Sequence, residues 1–78
     1  MVYEKFQTQK EIRIKRKILL ELKESPKRFK DLQNKLKFSP MGLMKILSGM
    51  KEEQKIEKVM YQGHEAYSLT KKGNNEVN

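Results

Sequence analysis

The apolar residues of the first third of the chain recur at helical spacing. At about 100° per residue, Ile12, Ile14, Ile18, Leu19 and Leu22 fall in one broad arc, and Arg13, Arg16, Lys17 and Lys23 lie mostly opposite. Thr8 followed by Glu11 has the spacing of a capping box, so this helix is expected to start near Gln9 and run to about Glu24. Ser25-Pro26 ends it, because proline cannot donate the next hydrogen bond and pushes its predecessor out of the helical region. Phe29, Leu32 and Leu36 then stand at i, i+3 and i+7, which predicts a second helix over residues 28–37 with Lys30, Gln33, Asn34 and Lys35 on its other faces. Ser39-Pro40 is a strong start for a third, since serine caps free amides and proline at the first helical position gives up only an orphan donor. That helix is expected over residues 40–53, with Leu43, Leu47 and Met50 inward and Ile46 flanking them.

After Gln54 the period changes from 3.6 to 2, as Ile56, Lys58 and Met60 alternate with Glu57, Val59 and Tyr61. Gln62-Gly63-His64 supplies a reversal, and residues 65–70 read as the returning strand of a hairpin. The fold class expected is therefore α+β: three helices followed by a two-stranded antiparallel hairpin. The stretch from Gly73 to Asn78 has almost nothing to bury, so residues 1–73 are read as one domain with an N-terminal arm and 74–78 as a frayed tail.

Composition narrows the function. A chain of 78 residues buries only about 60–65% of its unfolded surface, so the core is small. The absence of cysteine excludes disulfides, thiolate zinc sites and thiol catalysis, and fits a reducing cytoplasm or a hot one. A single histidine, His64, cannot assemble a metal site, and as a turn residue it is more often simply polar. Adjacent Glu52 and Glu53 point about 100° apart on a helix and do not form an acid/base pair. No enzyme, metal or cofactor is expected. No apolar run approaches the roughly 18 residues of a membrane span, and no signal-peptide core follows Met1, so a cytoplasmic protein without membrane contact is expected.

Eighteen Lys and Arg against ten Asp and Glu give a net charge of +8, which favours a polyanionic partner. The excess is uneven: residues 1–37 carry twelve basic and five acidic side chains, residues 38–78 six and five. The competing reading is a Lys/Glu-rich, thermophile-like surface whose charges are only solvated. Lys27, Arg28 and Lys30 open the second helix, where free amides and the helix dipole also favour anions, and are candidate phosphate positioners. With Leu43, Leu47 and Met50 turned inward, the third helix presents Pro40, Met41, Met44, Lys45, Ser48 and Lys51. Lys45 is suited to a guanine edge or a phosphate, and Ser39 and Ser48 to phosphates or bases. Met41 and Met44 suit thymine methyls, or equally a satellite core or an apolar partner surface.

About three residues separate the second and third helices, the turn length of a helix-turn-helix, and the hairpin after them completes the order of a winged helix-turn-helix. The stretch ILLELKESPKRFKDLQNKLKFSPMGLMKILSGMKEEQKIEK, then AYSLTKKG, resembles the DNA-binding domain of MarR- and HxlR-type transcription regulators over residues 18–73. Pro26, Lys27, Arg28 and Phe29 before the second helix, and Tyr67, Leu69, Thr70 and Gly73 closing the hairpin, fall in family order. Three positions depart from the pattern. Lys37 and Gln54 stand where these regulators usually have glycine, which predicts left-handed backbone on non-glycine residues, and Lys55 replaces a customary leucine.

The resemblance implies double-stranded DNA as the partner, with the third helix in the major groove and the hairpin, or wing, on an adjacent backbone or minor groove. Lys58, Tyr61, Gln62 and His64 are then the wing's candidate contacts. Relatives continue past the wing into another helix that helps them dimerise. This chain is read as stopping short of it and as having no room for an effector domain, so a homodimer on DNA would use helix one or the arm with Val2, Tyr3 and Phe6. No small-molecule ligand is implied. The alternative from another class is a winged-helix protein-interaction module in a larger assembly, favoured by a Met-rich outer face where DNA readers more often show Arg, Asn or Gln.

Overall fold

The structure is a computed structural model and describes residues 9–77. Its elements run α1 (Gln9–Glu24), α2 (Phe29–Leu36), α3 (Pro40–Glu52), β1 (Ile56–Tyr61), β2 (His64–Leu69) and α4 (Lys71–Glu76). The expected boundaries of the three long helices and the hairpin agree with this to within a residue or so. Thr8, on which the capping-box reading rests, and the arm residues Val2, Tyr3 and Phe6 lie outside the described residues.

The helices meet on one apolar cluster. Ile14, Ile18, Leu19 and Leu22 of α1, Leu32 of α2, Leu43, Ile46, Leu47 and Met50 of α3, and Ile56 of β1 are buried in it. Phe29, Leu36, Phe38, Tyr67, Leu69 and Val77 pack around its rim. Ile12 departs from the expected inward arc and is 45% exposed. It shares the direction of Leu19 but sits two turns nearer the N-terminus, where the facing elements no longer cover it.

Both expected left-handed residues are found. Lys37 has φ 53° and caps α2 by donating its N–H to the Gln33 carbonyl, and Gln54 has φ 64°. At the end of α3, Lys55 N–H reaches the Met50 carbonyl and Gln54 N–H the Lys51 carbonyl, each at 3.0 Å. That pair of bonds is the Schellman arrangement, which needs a left-handed residue just past the helix. Here the fold places glutamine there, at the steric cost a Cβ carries in that region.

β1 and β2 are antiparallel, in register from Ile56 opposite Leu69 to Tyr61 opposite His64. The reversal is the two-residue Gln62-Gly63, both with positive φ (53° and 82°), as a primed hairpin turn requires. The wing is anchored from its base to its middle, where Ile56 and Ala66 are buried and Tyr67 packs against the cluster, whereas Met60, near the tip, is 70% exposed. A second, shorter pairing joins the wing to the segment before α2. Lys27 and Tyr67 form an antiparallel bridge, a contact between residues forty apart that no local periodicity announces.

The frayed tail expected after the wing is instead a helix, α4. Thr70 caps it by accepting the Gly73 N–H at 3.1 Å, and its own hydroxyl donates to the Gln54 carbonyl. Thr70 N–H in turn donates to the Lys55 carbonyl at 3.0 Å. Gly73 is buried, and a Cβ on it would stand 2.1 Å from the Lys55 carbonyl oxygen. Only glycine permits that approach, so the end of α3, the base of the wing and the start of α4 form one joint. The chain therefore does place a helix after the wing.

Candidate nucleic-acid interface

α3 is held by its inner edge. Leu43, Leu47 and Met50 are essentially inaccessible, which fixes the rotation of the helix and turns the opposite side outward. Ser39 caps it, its Oγ accepting the Gly42 N–H at 3.2 Å, and Pro40 occupies the first turn. The serine hydroxyl is thus engaged as an acceptor, and its proton remains to be donated. On the outer face Met41 is 84% and Met44 58% exposed. Lys45, Ser48 and Lys51 are exposed as well, and their side chains bond to no other described residue. The expected outer face of α3 is therefore solvent-facing in full.

The three cations at the head of α2 are not equivalent. Lys27 is drawn back into the fold: its Nζ donates to the Glu21 carbonyl at 3.0 Å and stands 3.7 Å from a carboxylate oxygen of each of Glu21 and Glu24. Arg28, the N-cap residue, lies beside Asp31, whose Oδ2 accepts the Arg28 backbone N–H at 3.3 Å and the Arg28 Nε–H at 3.4 Å. Its side chain is still half exposed, and of its guanidinium only Nε is bonded to a described residue. Lys30 is exposed and has no ion pair with a described residue.

On the wing, the Lys58 ammonium stands 3.8 Å from Glu65 across the hairpin and 5.8 Å from the centre of the Tyr67 ring. Tyr61, Gln62 and His64 are exposed around the turn. They line, with Pro26, Arg28 and Asp31, an open cleft between the wing tip and the head of α2. Four of the sequence-derived candidates are thereby brought together: Arg28, Tyr61, Gln62 and His64. The Lys27–Tyr67 bridge is what sets the two elements side by side. Met60 joins the exposed wing surface and was not among the candidates. Its i+2 spacing from Lys58 on β1 is the signal that puts the two on one face.

At the base of the wing the environment shifts the titration of Lys55. Burial opposes the charge on Lys55, but its hydrogen bond to Glu76 and the nearby Glu53 carboxylate outweigh that and raise its pKa above the ordinary lysine value. The ammonium stands 3.3 Å from Glu53 and 3.2 Å from Glu76. Lysine here, in place of the customary leucine, ties the end of α3 to α4 through charge.

Among the described residues no group of histidines, cysteines and carboxylates could hold a metal ion, and no helix is long and apolar enough to cross a membrane. A capped helix projecting free side chains, preceded by a three-residue turn and flanked by a two-stranded wing, is a winged helix-turn-helix. The sequence pattern of the HxlR-like helix-turn-helix family matches residues 11–77, and the chain belongs to that family, one of transcription regulators rather than enzymes. No curated protein matches the chain.

Among solved structures it is similar to ZitR of Lactococcus lactis. The wild-type form is 26% identical with a TM-score of 0.71 over 82% of this chain and 44% of that one. A single-residue mutant is 25% identical with a TM-score of 0.75 over 82% and 46%. The apo form of a double mutant, at 24% identity, reaches a TM-score of 0.78 over 87% and 54% and speaks for the fold alone. The chain spans about half the length of these ZitR chains.

Proposed function

We propose that this chain is a sequence-specific, double-stranded DNA-binding transcription regulator, with α3 in the major groove and the wing on the adjacent backbone or minor groove. The observation that carries this reading is the outer face of α3: Lys45, Ser48 and Lys51 are exposed with no partner among the described residues, on a helix whose rotation is locked by three inaccessible side chains. An α-helix fits the major groove, and its outward side chains there meet base edges. Lys45 and Ser48 read or hold, Met41 and Met44 pack on thymine methyls, and Ser39 donates to a phosphate. Arg28, Lys30 and the wing residues Lys58, Tyr61, Gln62 and His64 position the duplex without reading it. Lys27 drops from this set, because its ammonium already has three oxygen partners.

One domain of this size makes too few base contacts for useful specificity, so two protomers are expected on related half-sites of an operator in the cytoplasm. Such a protein acts by occupying the operator and excluding or recruiting polymerase. A second reading, a winged-helix protein-interaction module, is favoured by one observation: Met41, Met44 and Met60 are all largely exposed.

Footprinting on DNA from around its own gene, followed by affinity measured against salt, separates the two. If four to six cations per protomer neutralise phosphates, log K falls against log[salt] with a slope of about −4 to −5 per protomer, roughly doubled for a dimer. Absence of duplex binding at low salt removes the DNA reading.

A further inference from the structure

The outer side of α1 is more basic than the fold requires. Lys10, Arg13 and Lys17 stand at i, i+3 and i+7, so they line one strip of the helix with Arg16 beside it. All four are exposed, Lys10 and Lys17 as helical neighbours of buried Ile14 and Arg13 and Arg16 farther round the helix. None forms an ion pair with a described residue. The cations that do are Lys27, Arg28, Lys35, Lys55 and Lys58. Like charges at helical neighbour spacing repel, so the strip opposes formation of the helix it sits on. A surface serving only solubility intersperses signs, as the wing does with Lys58 and Glu65. The strip does not.

Its position gives the strip a direction. The Lys10 Nζ lies 5.4 Å above the centre of the Phe38 ring. Phe38 immediately precedes the Ser39 cap, and its ring edge lies only 2.8 Å from where a Cβ on Gly42, in the first turn of α3, would be. One end of the strip therefore abuts the N-terminus of α3, and the rest leads away from it. From Lys10 to Lys17 the helix rises about 10 Å at about 1.5 Å per residue. Phosphates of one strand recur about every 3.4 Å along the duplex axis, so a strip of that length is long enough to meet about three of them.

We infer that Lys10, Arg13 and Lys17, with Arg16 bordering them, form a second phosphate track that holds the DNA backbone flanking the segment read by α3. The inference rests on the proposal that α3 binds duplex DNA, and it assigns to α1 a part in that binding. Arginine presents a planar fork to phosphate oxygens and lysine a compact charge, and neither carries sequence information in that role. The track supplies affinity and lengthens the footprint, and leaves base preference to α3. It also disfavours face-to-face pairing of two α1 helices in the free protein, since that would set like charges against each other.

The test compares the full chain with its Lys10→Gln/Arg13→Gln/Lys17→Gln variant, glutamine having nearly the helix propensity of the residues it replaces. Affinity is measured against salt on the footprinted operator and on a random duplex of equal length. Three lost phosphate contacts reduce the magnitude of the salt slope by about 2.7 per protomer, at about 0.9 each. Affinity should fall by a similar factor on both duplexes, and protection should shorten on one side of the site. The double variant Arg13→Gln/Lys17→Gln, with a loss of about 1.8, keeps the test available if the triple variant does not fold. An unchanged slope in a variant that binds overturns the track and leaves the α3 reading standing. So does a changed base preference, or a loss of self-association with DNA binding intact, which would make the strip an interface between copies. A wild-type chain that binds no duplex at any salt overturns both readings.

Discussion

Lys27 and Tyr67 exchange both of their backbone hydrogen bonds, the Lys27 N–H donating to the Tyr67 carbonyl at 3.0 Å and the Tyr67 N–H to the Lys27 carbonyl at 2.8 Å. This bridge joins the segment entering α2 to the middle of β2. It fixes the distance from the head of α2 to the wing tip, and so the spacing of Arg28 from Tyr61, Gln62 and His64 in the cleft they share.

Lys27 can be altered in two ways that separate its backbone from its side chain. Lys27→Pro removes one bridging N–H and is expected to cost about 1–3 kcal/mol of stability, with faster amide exchange at Tyr67. Lys27→Ala keeps the bridge and loses only the side-chain contacts to Glu21 and Glu24, which Lys27→Pro loses as well, so its loss is expected to be smaller by about 1 kcal/mol or more. Urea unfolding of both variants checks the difference. Equal losses would mean that the bridge contributes nothing.

The joint at the base of the wing predicts opposite signs for two glycines. Gly73→Ala drives a Cβ to 2.1 Å from the Lys55 carbonyl oxygen, a backbone atom that cannot swing aside. A loss of about 1–3 kcal/mol is expected. Gly49, inside α3, would meet nothing within 4 Å. Gly49→Ala is expected to stabilise by about 0.5–1 kcal/mol through helix propensity and the entropy of the unfolded chain. Thermal melts of the two variants should move in opposite directions, and a neutral Gly73→Ala would show that α4 does not pack as described.

What could be read from the sequence, and what could not, divides by the range of the interaction. Leu43, Leu47 and Met50 repeat on a local period that burial later uses unchanged, and Ser39-Pro40 marks a helix start by chemistry confined to one turn. Lys37 and Gln54 could be assigned left-handed backbone because the family they resemble usually has glycine at both positions. The exposure of Ile12 was not legible, since periodicity gives the direction of a side chain and not whether anything lies opposite. Nor was α4, because Lys71–Glu76 contains no apolar residue and is held instead by the Thr70 cap, the Gly73 contact and Lys55. Among the interface candidates, helix position made Lys27 and Lys30 look alike, and only the turn at Ser25-Pro26, which folds Lys27 back on the last turns of α1, brings it to Glu21 and Glu24.

Positioning and readout separate in a pair of alanine variants. Arg28→Ala should weaken binding to the operator and to random duplex by a similar factor, because a phosphate contact carries no sequence information. The loss is moderated by Asp31, which already shares the guanidinium. Lys45→Ala should weaken the operator more than random duplex, by about 1–3 kcal/mol at the base pair it contacts. Competition binding with both duplexes measures this. Identical behaviour of the two variants would put Lys45 on the backbone and α3 out of the groove.

Met44 is where the DNA and protein-partner readings diverge most clearly. Met44→Gln keeps side-chain length and helix propensity but replaces an apolar tip with an amide that can pair with adenine. Since Met44 is 58% exposed, the melting temperature should hardly change. If the residue packs on a thymine methyl, the variant loses affinity at a site with thymine there and shifts its preference at that position by about 1–3 kcal/mol, the other positions staying as they were. If the exposed methionines are instead a docking face, DNA binding is untouched and self-association or a partner is lost. A large fall in melting temperature would reject both, because it would require Met44 to be core and α3 to be rotated away from the Leu43, Leu47 and Met50 edge on which its outer face is defined.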